Sequence, residues 1–149
     1  NYDISFPTEE EMMYEVASTL LPDIKIASTS TKAINGKRPN TVTTMNDLLN
    51  NFVFKKVVIV SSNPYAYYQQ ATFIKVLLDY LVSTNPGLDI DHALSKCYPE
   101  LKIQIVAAPS YNLRAVDLLL GSCNAVYAYG QLYEHYDEDL LKNFIKTIS

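Results

Sequence analysis

Apolar residues recur along this chain in two different patterns. In the first pattern, Met12, Val16 and Leu20 follow one another at intervals of four residues. This spacing is typical of one face of a helix. Thr8 lies ahead of the run as a capping residue, and Pro22 follows it. We therefore predict a first helix that ends before Pro22.

The second pattern is a continuous run of β-branched residues, which occurs at 55–61 and at 101–107. Such a run, bounded by polar residues, is typical of a parallel strand that is buried on both faces. A shorter β-prone run covers 24–28. We predict that 57–60 and 102–107 form adjacent parallel strands with both faces covered.

Helices are predicted between and after these strands. Asn63 is expected to cap a helix whose first residue is Pro64. Either Thr41 or Thr43 is expected to cap an earlier helix. The predicted helical segments are Thr41 or Thr43 to Phe52, 64–84, 91–97, a segment containing Val116, Leu119 and Leu120, and 125–148 with a break near Asp137.

Alternation of strands and helices predicts right-handed βαβ units. We therefore expect one α/β domain over residues 1–149, a three-layer Rossmann-like fold with a mostly parallel sheet. Three strands are few for such a sheet. Either another strand lies in the chain, or the first βα unit is missing because this is the C-terminal portion of a longer chain, or the domain pairs with a second copy.

Composition limits the classes of function. The chain has 149 residues, of which 48% are hydrophobic, and a net charge of −4. These values exclude a disordered tail and argue against a nucleic-acid partner, which favours basic surfaces. No apolar run approaches the ~18 residues of a transmembrane helix, so we expect a cytoplasmic protein. Cys97 and Cys123 are interpreted as buried thiols, and no metal site is expected.

The ligand of an open α/β sheet binds beyond the carboxyl ends of the strands. Three predicted loops lie there, at 28–44, 61–69 and 109–114, and each leads into a helix N-terminus that favours anions. Lys37 and Arg114 could add positive charge, although hydroxyl and amide side chains in these loops could equally be helix caps. The predicted ligand-binding residues are Arg38, Asn40, Thr41, Ser61, Ser62, Asn63, Tyr65 and Ser110.

Catalytic motifs are scarce. The two histidines are His92, in a predicted surface helix, and His135, in an acidic segment. Neither lies in a strand-end loop, and the sequence contains no G-x-S-x-G, no P-loop and no G-x-G-x-x-G. The sequence therefore identifies no catalytic residue and no cofactor.

Two short motifs carry a family resemblance. Arg38-Pro-Asn-Thr-x-x-Thr and the later VVIVSSNPYAYYQ resemble segments of the SanA/ElyC/YdcF-like Rossmann-fold family of bacterial proteins, over residues 24–75. The resemblance implies a nucleotide-like ligand and a role in envelope biogenesis. It also implies an absent first βα unit. This chain has Thr43 where the family carries an acidic residue, and Tyr65 and Gln69 where better-known members carry His and Arg.

The leading functional hypothesis is therefore a small-ligand-binding domain for an anionic or nucleotide-like molecule. One alternative is a non-catalytic protein-interaction domain that uses exposed tyrosines. Another is a hydrolase or transferase acting on a phosphorylated substrate. Homo-oligomerisation stays open.

Overall fold

The computed structural model describes residues 9–26 and 39–149. The chain divides into two compact units, with the boundary in the sequence between Pro39 and Asn40. In the first unit, α1 (Glu9–Leu20) confirms the predicted first helix. Residues 24–26 are not in a strand, and the rest of the predicted run at 24–28 lies outside the described residues.

The second unit is mixed α/β. It contains five of the six described helices and a two-stranded sheet. Its elements are α2 (Thr41–Asn51), β1 (Lys56–Ser62), α3 (Ala66–Thr84), α4 (Ile90–Cys97), β2 (Lys102–Ala108), α5 (Ala115–His135) and α6 (Glu138–Ile148). The predicted order of helices and strands from α2 to α6 is therefore confirmed. The expected break near Asp137 is also present, because the Asp137 carboxylate accepts hydrogen bonds from the first backbone N–H groups of α6.

β1 and β2 are parallel, with a register that runs from Lys56 opposite Lys102 to Ser62 opposite Ala108. α3 and α4 connect the two strands, so the sheet is a single βαβ unit. The predicted parallel pairing of adjacent strands is confirmed.

The two faces of this sheet differ in their exposure. Ile59 and Ile103 pack against the core on one face, whereas Val58 and Val60 on the other are 47% and 66% exposed. The prediction that both faces are covered is therefore wrong for the described chain. β-Branched residues are favoured on either face of a strand, so a continuous run does not reveal whether a second layer is present.

α3 is the centre of the core. Leu77, Leu78 and Leu81 on this helix are completely buried. α2, α4, α5 and one face of the sheet pack around it, and α6 adds Phe144. Apolar burial at about 25 cal/mol per Å² makes this layer the main source of stability.

The N-termini of α2 and α3 differ from the prediction. Asn40 caps α2: its side chain accepts the Thr43 N–H at 3.0 Å, and the Thr43 hydroxyl accepts the Asn40 N–H. Asn63 does not cap α3, which begins only at Ala66. Its N–H instead bonds to the carbonyl of Ala108 at 2.9 Å and extends the ladder.

A turn therefore separates β1 from α3. The Asn63–Pro64 peptide bond is cis, and the Tyr65 N–H donates to the Ser62 carbonyl at 2.8 Å. Pro64 belongs to this turn and does not open the helix. A strand-to-helix connection of this kind cannot be distinguished by composition from a helix whose first residue is proline.

Candidate binding groove

A groove of about 690 Å³ runs along α5 beside the turn that follows β1. No residue in the described part of its lining carries a charge. The lining residues are Asn63, Pro64, Tyr67, Leu118, Gly121, Ser122, Ala125, Val126, Tyr129, Gly130 and Tyr133. The groove is therefore suited to apolar and aromatic contacts, with a few hydroxyl and amide groups for orientation.

Two glycines shape the groove in different ways. A Cβ added at Gly121 would lie 2.4 Å from Pro64 Cγ, whereas one added at Gly130 would meet nothing within 4 Å. Gly121 therefore lets α5 approach the turn after β1, and Gly130 leaves open space further along. Ala125 lies between them on the same helix.

Three tyrosines provide the aromatic part of the lining. Tyr67 is 63% exposed and Tyr133 is 52% exposed. Tyr129 is half-buried, and its hydroxyl donates to Gln70 Oε1 at 3.2 Å. Burial raises the pKa of Tyr129, so this hydroxyl stays protonated at neutral pH. Tyrosine is enriched at binding surfaces because it combines a large apolar area with a polar tip.

Three of the predicted ligand-binding residues come together at the carboxyl end of the sheet. Ser61 and Ser62 end β1, and Asn63 follows them into the lining of the groove. The bond from Asn63 to Ala108 joins them to the end of β2, two residues before Ser110. One end of the groove therefore lies beyond the carboxyl ends of the strands, where the ligand of an open α/β sheet is expected.

Asn40 and Thr41 lie at the start of α2, whereas Tyr65 lies in the turn after β1, next to Pro64. Thr41 is the first residue of α2, and Asn40 is the N-cap, so the Asn40 side chain serves the helix start. Tyr65 is the half-buried N-cap residue of α3 and makes no side-chain capping bond. Lys37 and Arg38 lie outside the described residues.

Arg114 does not add charge to the groove. Its guanidinium donates from Nε and Nη2 to the two carboxylate oxygens of Asp117, both at 3.0 Å. Hydrogen bonds from this partner hold the pKa of Asp117 below its usual range, and Asp117 raises the pKa of Arg114 in return. The Arg114 guanidinium, which could have bound an anion, is therefore already paired with Asp117.

The far end of the groove is acidic. Tyr133 is followed by Glu134, and Asp137, Glu138 and Asp139 form the start of α6. Glu138 pairs with Lys142 at 2.7 Å. Glu134 accepts a hydrogen bond from Gln131, but no ion pair to it is seen within the described chain.

The junction between α5 and α6 is tied to α3. The Tyr136 hydroxyl donates to Asp79 Oδ1 at 2.7 Å, and Asp79 also pairs with Lys75. Burial raises the pKa of Tyr136 above its usual value, and the hydrogen bond to the Asp79 carboxylate raises it further. The acidic end of the groove is consequently held in place against the core helix.

A second cavity, of about 610 Å³, lies among α4, β2 and α6. Lys102, the first residue of β2, lines it and donates to the Thr147 carbonyl at 2.9 Å. This cavity is therefore at the amino end of the strand, away from the predicted crevice. Its lining also includes Asp91 and Lys146, so it is polar and of mixed charge.

The histidines and cysteines lie away from the groove lining. His92 pairs with Asp89 on the surface, and His135 Nδ1 lies 2.8 Å from the Gln131 carbonyl. Cys97 is half-buried, and Cys123 is exposed. The interpretation of Cys123 as a buried thiol is wrong, because the helix face that carries it is apolar but uncovered. Within 9–26 and 39–149, no three His, Cys, Asp or Glu residues form a group that could hold a metal ion.

Sequence analysis missed the α5 side of the groove. Val116, Leu119 and Leu120 mark α5 as an apolar helix, yet all three are exposed. The overlooked signal is that apolar residues surround most of α5, although a surface helix normally has only one apolar stripe. A helix of this kind requires cover on more than one side.

Comparisons with known proteins do not extend this description. No family model matches the chain, and neither curated proteins nor solved structures gave a significant match. The resemblance to the SanA/ElyC/YdcF-like family therefore stays a prediction. No helix among the described residues is both long and apolar enough to span a membrane.

Proposed function

We propose that this protein is an interaction domain that binds an apolar segment of another protein in the groove along α5. The observation that carries the proposal is the uncharged lining, in which exposed tyrosines flank glycine and alanine along four turns of α5. Aromatic residues at the centre of a contact contribute much of the binding energy of protein interfaces.

The exposed face of α5 supports the same function. Leu119 beside the groove and Val126 in its lining are largely exposed, and Tyr127 extends the apolar surface. Contiguous apolar patches of this kind mark interaction sites on folded proteins. Binding in the groove would cover part of a helix that is otherwise unusually apolar for its exposure.

The test fills the groove without disturbing the fold. Gly130→Leu places a side chain in open space, and leucine favours the helix over glycine by ~1 kcal/mol. Asn124→Leu is the control, since Asn124 is an exposed α5 residue that does not line the groove. Peptides are selected on the wild type from a displayed library of random 16-residue sequences, and their Kd values are measured for all three proteins.

We expect Gly130→Leu to weaken the selected peptides at least about tenfold, equivalent to 1.4 kcal/mol, and Asn124→Leu to leave Kd within about twofold. Thermal unfolding verifies that both variants are folded. A selection without binders, or binders that tolerate Gly130→Leu, would show that the groove is not the interaction site.

A second function, the binding of a small anionic or nucleotide-like ligand by a Rossmann-like domain, is favoured by one specific observation. Ser61, Ser62 and Asn63 gather at the carboxyl end of the parallel strands, where such ligands bind. Thermal-shift screening against nucleotides and sugar phosphates tests it. A ligand at a hundredfold excess over Kd should stabilise the protein by ~2.7 kcal/mol.

A further inference from the structure

We infer that the groove accepts an amphipathic helix of about four turns, with short aliphatic residues on its apolar face and Lys or Arg at the end beside Tyr133. This inference rests on the proposed function and specifies the partner. It follows from the length of the groove, from the shape of its floor and from the difference in charge between its two ends.

The length of the groove fits a helix. Its α5 lining runs from Leu118 through Ser122, Ala125 and Tyr129 to Tyr133, at intervals of three or four residues. This stretch is about 22 Å long at 1.5 Å per residue. A partner helix of about the same number of residues would lie along the whole floor.

The shape of the floor favours close helix packing. Ser122, Ala125 and Gly130 are all small, and the space above Gly130 is open. Small residues allow two helix axes to approach to the short end of the usual 8–10 Å range. Short aliphatic side chains at i, i+3, i+4 and i+7 would then insert between the exposed rings of Tyr67 and Tyr133.

An extended segment is a poorer fit. A strand is bound mainly through hydrogen bonds to an open sheet edge, whereas the groove is bordered mostly by α5, whose backbone groups are bonded within the helix. A helix brings its backbone hydrogen bonds already satisfied, so an uncharged groove does not have to replace them.

The charges at the two ends give the partner a direction. At the β1 end, Arg114 and Asp117 neutralise each other. At the Tyr133 end, the segment from Glu134 to Asp139 carries four carboxylates, of which Glu138 is paired with Lys142. A basic group would therefore be attracted to this end alone, and charge complementarity of this kind sets orientation more than affinity.

The experiment uses a groove-dependent peptide from the selection above. Three versions keep its apolar face and differ only in the solvent-facing positions of one end, which carry lysine, glutamate or glutamine. Each is labelled, and its Kd is measured by fluorescence anisotropy against the full chain at low and high salt. Circular dichroism of the complex reports whether the bound peptide is helical.

We expect the lysine version to bind about tenfold tighter than the glutamate version at low salt, with glutamine between them. The difference should shrink at about 1 M salt, where charges are screened beyond ~3 Å. Glu134→Lys replaces one of the four carboxylates with an ammonium group and should therefore reduce the preference. Lysine is well tolerated in the last turn of a helix, so the variant should stay folded. Asp91→Lys, on α4, is the matched charge reversal and should leave the preference unchanged.

The outcomes separate the two proposals. Binding that needs an open Gly130 but shows no preference for lysine, no response to Glu134→Lys or no helix in the bound peptide overturns this inference and leaves the proposed function standing. Binding that ignores Gly130→Leu overturns both. A wild-type dimer in sedimentation that Gly130→Leu converts to a monomer would identify the occupant as a second copy of the chain, which also overturns this inference.

Discussion

α3 and α5 are the two longest described helices and are both rich in apolar residues, yet they occupy opposite situations. α3 is surrounded, so that Leu77, Leu78 and Leu81 have no exposed surface. α5 is buried along one line only, at Gly121, Ala128 and Leu132. Leu119, on its outer side, is 63% exposed.

This difference shows what hydrophobicity does and does not determine. Apolar residues on several sides of a helix indicate that the helix requires cover, since water contact with each side chain is unfavourable. They do not indicate whether the cover comes from the same chain. In α3 it comes from α2, α4, α5 and the sheet, whereas in α5 much of the apolar surface is left for another molecule.

The largest expected effect contrasts one leucine from each helix. Leu77→Ala should lower the free energy of unfolding by about 2–5 kcal/mol, because it leaves a cavity in the core. Leu119→Ala should change it by less than about 0.5 kcal/mol. Urea unfolding followed by circular dichroism measures both. Equal losses would mean that the outer side of α5 is already covered in the isolated protein.

The next prediction contrasts the two glycines of the groove. Gly121→Ala should cost about 1–3 kcal/mol, because its Cβ would collide with Pro64 and force α5 away from the turn. Gly130→Ala should instead stabilise the protein by up to ~1 kcal/mol through helix propensity. The two variants are compared by thermal unfolding. If Gly121→Ala is as stable as the wild type, α5 does not approach Pro64 as described.

A smaller change in stability is expected at high pH, and it comes from the buried residue Tyr98. The hydroxyl of Tyr98 donates to the Leu49 carbonyl at 3.2 Å, and burial raises the pKa of Tyr98 from 10.0 to about 12. Between these two values the unfolded chain releases the phenol proton and the folded protein keeps it. The contribution of the Tyr98 hydroxyl to the free energy of unfolding is therefore complete below about pH 10, and it is lost as the pH rises toward 12.

Tyr98→Phe tests this prediction. At neutral pH it should cost about 1 kcal/mol for the lost hydrogen bond. Between pH 10 and 12 its stability should fall less steeply than that of the wild type. Parallel profiles for Tyr98→Phe and the wild type would contradict the assignment.

The smallest effect concerns the open face of the sheet. Val60→Thr keeps the β-branched shape and places a hydroxyl at a position that is largely exposed. The unfolding free energy should change by less than about 0.5 kcal/mol. A loss above ~1 kcal/mol would show that this face is covered in solution, as a buried hydroxyl without a partner costs about 1–3 kcal/mol.

Most of the fold of the second unit could be predicted from local patterns. β1 (Lys56–Ser62) and β2 (Lys102–Ala108) contain all of the predicted strand residues 57–60 and 102–107. These features depend on residues close together in sequence. Periodicity and β-branching report such local structure well.

Features that depend on contacts between distant residues were less predictable. The close approach of Gly121 to Pro64 joins residues far apart in the chain, so no local pattern reveals the groove. The caps were mistaken for a similar reason. Asn40, Thr41 and Thr43 are all suitable capping residues, and only the course of the backbone selects Asn40.

The parallel register of the sheet has a consequence for folding. Every pair in the ladder, from Lys56 with Lys102 to Ser62 with Ala108, is joined by the same crossover through α3 and α4. No pair is local, so the ladder cannot grow outward from a hairpin turn, and the first pair requires the closure of one long loop. The folding rate is therefore expected to depend on how quickly α3 and α4 shorten the distance between the two strands.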